Sequence, residues 1–306
     1  MTAPRTTATV VVCTRNRPEM LTHLLASIRD RGPEGTDVLV VDSASDGPGT
    51  RAAAERAGVR YVRSARPGLS IARNIGVREA TGDVVIFTDD DCEVAADWIP
   101  TLLARFEDWR VGAVSGRMLD PGAPTAVYED PHRKTYTRTV QGLDAGHGAL
   151  MAFDRTAVLE LGGFDEVLGA GRTHAGAEDL DMFCRILRAG WLVVHEPASA
   201  VIHLNQRQGG DYTALLRGYG LGLGALVGKF LRIDLSVGLA LGAIVLRRTV
   251  IRAVRLTLRR SKRARGDRAM LAGIVTGLVG TARIPVEGSC FVDEHPPATV
   301  PEPASA

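Results

Sequence analysis

The sequence has 306 residues, of which 45% are hydrophobic and 24% charged, and this composition is typical of a folded globular protein of one or two domains. Its four cysteines are widely separated and none stands at metal-ligand spacing, so the sequence predicts neither a disulfide framework nor a structural zinc site, and a reducing cytosol is the simplest setting. The formal net charge is only +2, but residues 247–268 carry ten Arg or Lys against one acid, which indicates an anionic partner.

The first part of the chain alternates predicted strands with predicted helices. Short runs rich in β-branched residues predict strands at residues 9–13, 37–42, 59–62 and 84–87. Helices are predicted to begin at Pro18, which suits a first helical position, at Arg51, and within residues 67–70. This alternation predicts right-handed β-α-β units, and therefore an α/β fold with a mostly parallel central sheet and flanking helices.

Three consecutive carboxylates, Asp89, Asp90 and Asp91, follow the strand predicted at residues 84–87. Ligands of open α/β sheets bind beyond the carboxyl ends of the strands, so the run lies where a site is expected. Adjacent carboxylates repel each other unless a cation lies between them, and oxygen ligands suit Mg²⁺ or Mn²⁺ with a nucleotide diphosphate as co-ligand. The alternative is a solvated acidic turn between a strand and a helix.

The middle of the chain continues the α/β pattern. Further elements are predicted as helices at residues 98–106, around Val158 and at 178–188, and as strands at 111–115, 148–153, 193–195 and 200–203. Residues 119–143 contain several prolines and predict a loop with irregular strands.

From Tyr212 onwards the sequence predicts helices only. The apolar runs at residues 235–246 and 270–282 are too short to span a membrane, and arginines flank them, so they predict amphipathic helices lying on an anionic lipid surface. The alternative is a soluble helical subdomain or an oligomer interface. The sequence thus predicts three parts: an α/β domain at 1–210, a basic helical region at 211–290 and a disordered, proline-rich tail at 291–306.

Six motifs occur in a fixed order along about the first two-thirds of the chain. They are Thr14-Arg-Asn-Arg-Pro18, the segment from Asp42 to Asp46, Pro67-Gly-Leu-Ser-Ile-Ala-Arg-Asn-Ile-Gly76, Thr88-Asp-Asp-Asp91, Gly162-Gly-Phe-Asp165 and Glu178-Asp-Leu-Asp181. Together they resemble the family 2 glycosyltransferases, which are inverting enzymes with the Rossmann-like GT-A fold. The resemblance implies that residues 1–210 form a nucleotide-sugar-binding and catalytic domain.

The resemblance also implies a donor site. The residues that would border the nucleotide or its sugar are Thr14, Arg15, Asn16, Asp42, Arg73, Asn74 and Asp90. Asp42 would accept a hydrogen bond from the base, with a turn cap as the alternative. Arg73 would contact the diphosphate or order the site, with a surface arginine as the alternative. Asp90 would point towards the ribose or the sugar.

A metal site and a general base complete the implied site. Asp89 and Asp91 match the ends of the family's Asp-x-Asp motif, and His203 resembles a further metal ligand, with a strand-end histidine as the alternative. A bound Mg²⁺ or Mn²⁺ would neutralise charge on the leaving diphosphate. Glu178 and Asp179 look like the catalytic base motif, with Asp179 as the base. The alternative is a pair of acids favoured by the helix dipole.

These features predict an inverting, metal-dependent transferase that moves a sugar, most plausibly from a UDP-sugar, to an acceptor hydroxyl. A lipid-linked or envelope-polysaccharide acceptor would follow from a position at the cytoplasmic face of the cell membrane, and the sequence predicts no secretion signal. The basic block lacks interleaved aromatics, so nucleic acid is not a predicted partner. A nucleotidyltransferase and a degenerate, membrane-associated homologue remain as alternatives, whereas the lack of G-x-G-x-x-G after the first strand excludes a NAD-dependent dehydrogenase.

Overall fold

The structure is a computed structural model that describes residues 7–121, 132–204, 210–258 and 264–303. Its strands are β1 (Ala8–Thr14), β2 (Asp37–Ser43), β3 (Arg60–Ser64), β4 (Val84–Asp89), β5 (Cys92–Val94), β6 (Val111–Leu119), β7 (Lys134–Tyr136), β8 (Leu150–Asp154), β9 (Leu192–His203), β10 (Val286–Glu287) and β11 (Cys290–Phe291). Its α-helices are α1 (Pro18–Arg31), α2 (Gly49–Ala57), α3 (Leu69–Glu79), α4 (Trp98–Leu103), α5 (Arg155–Glu160), α6 (Glu178–Arg188), α7 (Gly210–Ile233), α8 (Leu235–Leu258) and α9 (Ala264–Gly280).

The central sheet has the strand order β3-β2-β1-β4-β8-β6-β9-β5, and β7 also pairs with β9. The first four strands in this order are parallel, as are β6 and β9, while β5, β7 and β8 run antiparallel to their neighbours. The predicted α/β fold, with a large central sheet between helices, is confirmed.

Both faces of the sheet are covered, which explains the continuous apolar runs of its strands. On one face Val10 and Val12 of β1 pack in the same core as Leu24 of α1. On the other face Val11 packs in the same core as Ala72 of α3. Because successive side chains of a strand point to opposite faces, a strand covered on both sides must be apolar at every position.

Two strand predictions need correction. The segments predicted as separate strands at residues 193–195 and 200–203 form the single strand β9, with a register shift against β6 between Ser115 and Arg117. Pro197 lies in the irregular part of β9. It has no backbone N–H to donate, so it interrupts the hydrogen-bond pattern with β6, and the strand continues beyond it. The short strand β5 was not predicted, because three residues carry too little periodicity.

The C-terminal helices pack on the outer face of α6. Phe230 and Leu226 of α7 and Leu241 of α8 share an apolar core with Ala177 and Cys184. Only one helix of the described part of the chain is long and apolar enough to cross a membrane, at Tyr212–Ile233 with a mean hydropathy of 1.2, and 56% of that window is buried inside the protein. A core helix of a soluble protein meets the same criterion, so the segment is weak evidence for a span.

Helices α7 and α9 approach each other closely through glycines. A Cβ on Gly224 would overlap the carbonyl oxygen of Ile274, and a Cβ on Gly277 would overlap that of Leu221. These glycines therefore allow α7 and α9 to pack closely against each other. From the sequence alone, no structural role could be assigned to them.

The tail differs from the predicted disorder as far as residue 303. The backbone amide of Val300 donates to the carbonyl oxygen of Ala65 at 2.7 Å, and Arg63 donates to the carbonyl oxygens of Val300 and Pro301. Arg51 forms an ion pair with Glu302. Arg51 and Arg63, next to the edge of the sheet, therefore hold the tail in place. The prolines of the tail have no backbone N–H and cannot form regular structure by themselves. Four residues of the basic block, at 259, 260, 262 and 263, lie outside the described residues.

Candidate active site

The acidic run lies at the carboxyl end of β4, in the middle of the sheet. Asp89 pairs in register with Cys13 of β1, and the antiparallel pairing of β5 with β9 sets Cys92 opposite His203. Ligand atoms of Asp89, Asp91 and His203 all lie within 4.8 Å of one another, and His203 Nε2 is 3.3 Å from Asp91 Oδ1. The three predicted metal ligands are therefore brought together, although more than a hundred residues separate the last from the others.

The charges of this cluster fit a divalent cation. Burial raises the pKa of Asp89 to about 6; Arg73 opposes this rise, while the neighbouring Asp91 and Asp90 add to it. Carboxylates that raise one another's pKa in this way are relieved by a positive ion held between them. Two carboxylates and an imidazole make a donor set that could hold Mg²⁺ or Mn²⁺.

Asp90, which was expected to point towards the ribose or the sugar, accepts hydrogen bonds from the loop after β1. Its Oδ2 accepts a hydrogen bond from Thr14 Oγ1 at 2.6 Å, and its Oδ1 accepts one from Arg17 Nη1 at 3.0 Å. The buried carboxylate thus fixes the loop after β1 beside the metal ligands. Arg17, which also lies 3.4 Å from Asp91, was missed, although it stands inside the first recognised motif.

The loops after β1 and β2 are bonded to each other. The Asn16 side chain donates to Asp46 Oδ2 at 2.6 Å and accepts from the Asp46 amide at 2.8 Å, while the Asn16 amide donates to Ser45. Asn16 takes a φ of 57°, a left-handed conformation that Asn tolerates better than most residues. Arg15 is exposed and lies 3.7 Å from Asp46. Thr14 therefore contacts the acidic run through Asp90, while Arg15 and Asn16 contact Asp46, and their role at the nucleotide stays a prediction.

Asp42 fits the turn-cap alternative. It is 1% exposed, its Oδ1 accepts from the Ser45 amide at 2.8 Å and its Oδ2 accepts from the Tyr61 hydroxyl at 2.8 Å. Burial, with Asp42 adding to it, raises the pKa of that tyrosine to about 12. Because both carboxylate oxygens accept hydrogen bonds within the protein, Asp42 stabilises the loop after β2.

Arg73 is buried at the centre of the site, so the surface-arginine alternative is wrong. It is 2% exposed, it donates to Glu178 Oε1 at 2.7 Å, and its guanidinium lies 5.8 Å and 5.5 Å from the ring centroids of Phe87 and Phe164. The prediction that Arg73 orders the site agrees with these contacts.

Asn74, which was expected to border the donor, makes its hydrogen bonds to the turn that follows α5. Its side chain accepts from the Phe164 amide at 2.7 Å and donates to the carbonyl oxygen of Phe164 and to Glu166, each at 2.9 Å. These bonds fasten α3 to the turn that follows α5. Because successive residues of an α-helix are rotated by about 100° from each other, Asn74 faces the turn after α5 while Arg73 faces Glu178.

Asp179 lies in the first turn of α6 and is partly exposed. Its Oδ1 accepts from the Leu180 amide at 2.8 Å, while no hydrogen bond to Oδ2 is present among the described residues. Burial raises the pKa of Asp179, and Arg73 opposes the rise. Glu178, by contrast, is buried and bonded to Arg73. Of the two acids, Asp179 is therefore the one free to take a proton.

Gly148 lies next to both Arg73 and Asp179, and no local pattern of the sequence indicates this position. A Cβ at this position would lie 2.8 Å from Arg73 Nη2 and 3.5 Å from Asp179 Oδ2. Any larger residue would push on the guanidinium, so the chain passes here without a side chain.

Comparison with known proteins agrees with the resemblance in the sequence. The family model described as Glycosyl transferase family 2 matches residues 9–159. A pre-mycofactocin glycosyltransferase of Mycobacterium tuberculosis is 30% identical over 229 residues, which make up 69% of this chain and 46% of that protein. The succinoglycan biosynthesis protein ExoM of Rhizobium meliloti is 30% identical over 205 residues, or 62% of this chain and 64% of that protein. The chain spans about half the length of the first of these relatives.

Solved structures with the same fold include two transferases. The mannosyltransferase PcManGT from Pyrobaculum calidifontis, in complex with GDP-Man and Mn²⁺, has a TM-score of 0.60 at 24% identity and covers 90% of this chain and 87% of its own. GalNAc-T7 with UDP, GalNAc and Mn²⁺ has a TM-score of 0.55 at 20% identity and covers 74% of this chain and 49% of its own. These similarities show the GT-A fold.

Proposed function

The chain belongs to glycosyltransferase family 2, and we propose that it transfers a sugar from a nucleotide-diphosphate donor to an acceptor hydroxyl with inversion at the anomeric carbon. The observation that carries the proposal is one buried guanidinium between two functional groups. Arg73 donates to Glu178 Oε1 of the base motif at 2.7 Å, and its positive charge opposes the rise in pKa that burial causes at Asp89 and at Asp179. We infer that the cation site for the leaving diphosphate and the carboxylate for the acceptor act on the same pair of substrates.

Each group has a chemical role in this proposal. Asp179 takes the proton of the acceptor hydroxyl as the oxygen attacks, because no described residue donates a hydrogen bond to its Oδ2 and its raised pKa suits a base. Asp89, Asp91 and His203 would hold a divalent cation, which would supply positive charge to the leaving diphosphate. Arg73 holds Glu178, and its positive charge offsets the negative charge of Asp89 and Asp179. A single displacement on the face opposite the leaving group gives inversion.

The donor nucleotide is the next part of the proposal. UDP is supported by GalNAc-T7, whose structure holds UDP, and by relatives named N-acetylgalactosaminyltransferases, such as the probable enzyme 7 of Caenorhabditis elegans, 28% identical over 203 residues. PcManGT, whose structure holds GDP-Man, supports GDP instead. We propose UDP, and a binding measurement decides between the two.

We expect one nucleoside diphosphate to raise the melting temperature of the protein only when Mn²⁺ or Mg²⁺ is present. A ligand at a hundred times its Kd stabilises the native state by about 2.7 kcal/mol, which corresponds to a rise of roughly 5 °C for a chain of this size. The measurement is thermal unfolding with UDP, GDP, dTDP, CDP or ADP, each with Mn²⁺ and with a chelator. No shift with any of the five would favour the degenerate homologue.

The nucleotidyltransferase alternative is separated by its product. With a nucleotide sugar and an acceptor, the proposed reaction releases nucleoside diphosphate. A nucleotidyltransferase would instead release pyrophosphate from a nucleoside triphosphate and a sugar phosphate, so the second assay supplies these two substrates. Detection of pyrophosphate in place of the diphosphate would contradict sugar transfer.

An anionic membrane surface is the proposed location of the acceptor. Helix α8 presents large apolar side chains to solvent, among them Leu246 (55% exposed), Ile251 (58%) and Val254 (52%). Arg247 lies on the same side of the helix, whereas Arg248 is paired with Asp144. No ion pair of Arg247 is present among the described residues. An apolar strip next to such an arginine suits shallow insertion among anionic headgroups, and this supports a lipid-linked acceptor.

We expect the protein to co-sediment with vesicles containing anionic lipid, and the double variant Ile251→Asp/Val254→Asp to lose at least tenfold in vesicle affinity. Each apolar side chain contributes about 1.5–3 kcal/mol when it leaves water, and a carboxylate would also repel the headgroups. The matched control is Met20→Asp/Leu159→Asp, which changes exposed apolar residues on α1 and α5. If the α8 variant alters the oligomeric state and leaves vesicle binding unchanged, this surface is an oligomer interface.

A further inference from the structure

Four charged side chains form a fully buried cluster between α6, α7 and the turn after α5. Lys229 Nζ lies 2.7 Å from Asp165 Oδ2 and 2.7 Å from Asp181 Oδ1, and Arg185 Nε donates to Asp181 Oδ2 at 2.8 Å. None of the four side chains is exposed by more than about 1%. We call these residues the buried ion cluster. Its two cations balance its two anions.

The buried ion cluster connects distant parts of the chain. Lys229 comes from α7, in the C-terminal helices, and Asp181 from the first turn of α6. Arg185 also donates to the carbonyl oxygens of Leu161 and Gly163, and Asp165 accepts from the Phe291 amide at 2.9 Å. The turn after α5, the C-terminal hairpin and both helices therefore meet at these charges.

An apolar core also joins α6 to α7, so the two helices are not held together by the charges alone. A buried ion pair contributes little net stability compared with apolar residues of the same size, but separating its charges would leave each unpaired in the core, so it fixes one arrangement. Lys229 donates a hydrogen bond to Asp165, whereas its contact with Asp181 Oδ1 is an ion pair without hydrogen-bond geometry.

The start of α6 carries the candidate base Asp179. Arg73 holds the residue before it, Glu178, while Lys229 holds Asp181, two residues after it. The base thus lies between two buried ion pairs anchored on different elements.

We propose that Lys229 is a positioning residue for Asp179: it fixes the first turn of α6 against α7, so that the C-terminal helices take part in catalysis as well as in any membrane contact. This inference rests on the proposed function. A displacement of about 1 Å of a catalytic group can cost about a hundredfold in rate, which makes a rigid support for the helix start effective.

The experiment uses the full-length double variant Lys229→Met/Asp165→Asn. Lys229→Met alone leaves an excess negative charge in the core and is expected to fold poorly. The second change restores neutrality and keeps the Asp181–Arg185 pair, while the tie to α7 is lost. The matched control is Lys134→Met, a change of an exposed lysine on β7.

Two measurements distinguish a positioning role of Lys229 from a role in stability alone. We expect the double variant to recover a melting temperature near that of the wild type, while amides 178–182 exchange hydrogen at least tenfold faster and those of β1 and β4 do not change. With donor and acceptor, kcat is expected to fall at least tenfold while the donor KM stays within twofold. Wild-type exchange at the start of α6, or wild-type kcat, in the double variant would overturn the proposal. Amide exchange needs no substrate, so a wild type that transfers no sugar counts against the proposed function alone.

Discussion

Replacing Asp179 with asparagine is expected to lower kcat by about 10²–10⁴-fold while the donor still binds. The asparagine side chain keeps the size of the aspartate and can still accept from the Leu180 amide, but it cannot take the proton of an acceptor hydroxyl. Donor affinity depends on the loops after β1 and β2 and on the metal ligands, which this change does not touch. The measurement is steady-state transfer, together with thermal stabilisation by the nucleoside diphosphate.

Two further variants make this result specific. Asp30→Asn changes an exposed aspartate on α1 and should leave kcat unaltered. Glu178→Gln should act through stability, because breaking the buried pair with Arg73 costs about 3–5 kcal/mol. Near wild-type transfer by Asp179→Asn would refute the base assignment.

The pH profile of the wild type provides an independent check. Burial raises the pKa of Asp179, and a base acts only when deprotonated. Activity should therefore fall as the pH decreases through a value above that of an ordinary aspartate, and Asp179→Asn should remove this acidic limb.

Replacing Asp91 with alanine is expected to abolish the metal-dependent stabilisation by nucleoside diphosphate and to lower transfer by more than about a hundredfold. The variant leaves only Asp89 and His203 of the ligand cluster, and it removes one of the two carboxylates next to Arg17. Removal of the metal from the wild type by a chelator should have the same effect. Thermal unfolding with nucleotide, with and without Mn²⁺, measures the loss without any acceptor.

The controls for this prediction address each ligand. Asp30→Ala should retain the full Mn²⁺-dependent shift. His203→Ala tests the open choice between a ligand and a strand-end histidine: a weakened shift supports the ligand, and an unchanged shift supports the strand-end residue. A full shift in Asp91→Ala would contradict the metal site.

The strands and helices of the first part of the chain could be predicted from the sequence because burial and helix starts leave local patterns in it. Strands such as β1 and β4 are covered on both faces and so appear as short apolar runs, and α1 begins at Pro18 as expected. Helix α6 has the predicted limits, Glu178–Arg188, since its acids at the start and its apolar spacing are both local signals. Asp89 and Asp91 were found for the same reason, because they follow a buried strand directly.

The tertiary structure alone decided what the polar residues of the site contact. Sequence periodicity reports whether a position is buried, but not which distant group meets it across the fold. For that reason Asp42 and Asn74 were expected at the nucleotide, and the structure bonds them to neighbouring turns. The same holds for Arg73, buried between Asp89 and the base motif, and for Lys229, which no local pattern could pair with Asp165 and Asp181. The sequence determined the family, the α/β fold and the position of the acids, whereas long-range ion pairing, formed only when the helices pack, decided how the site is held together.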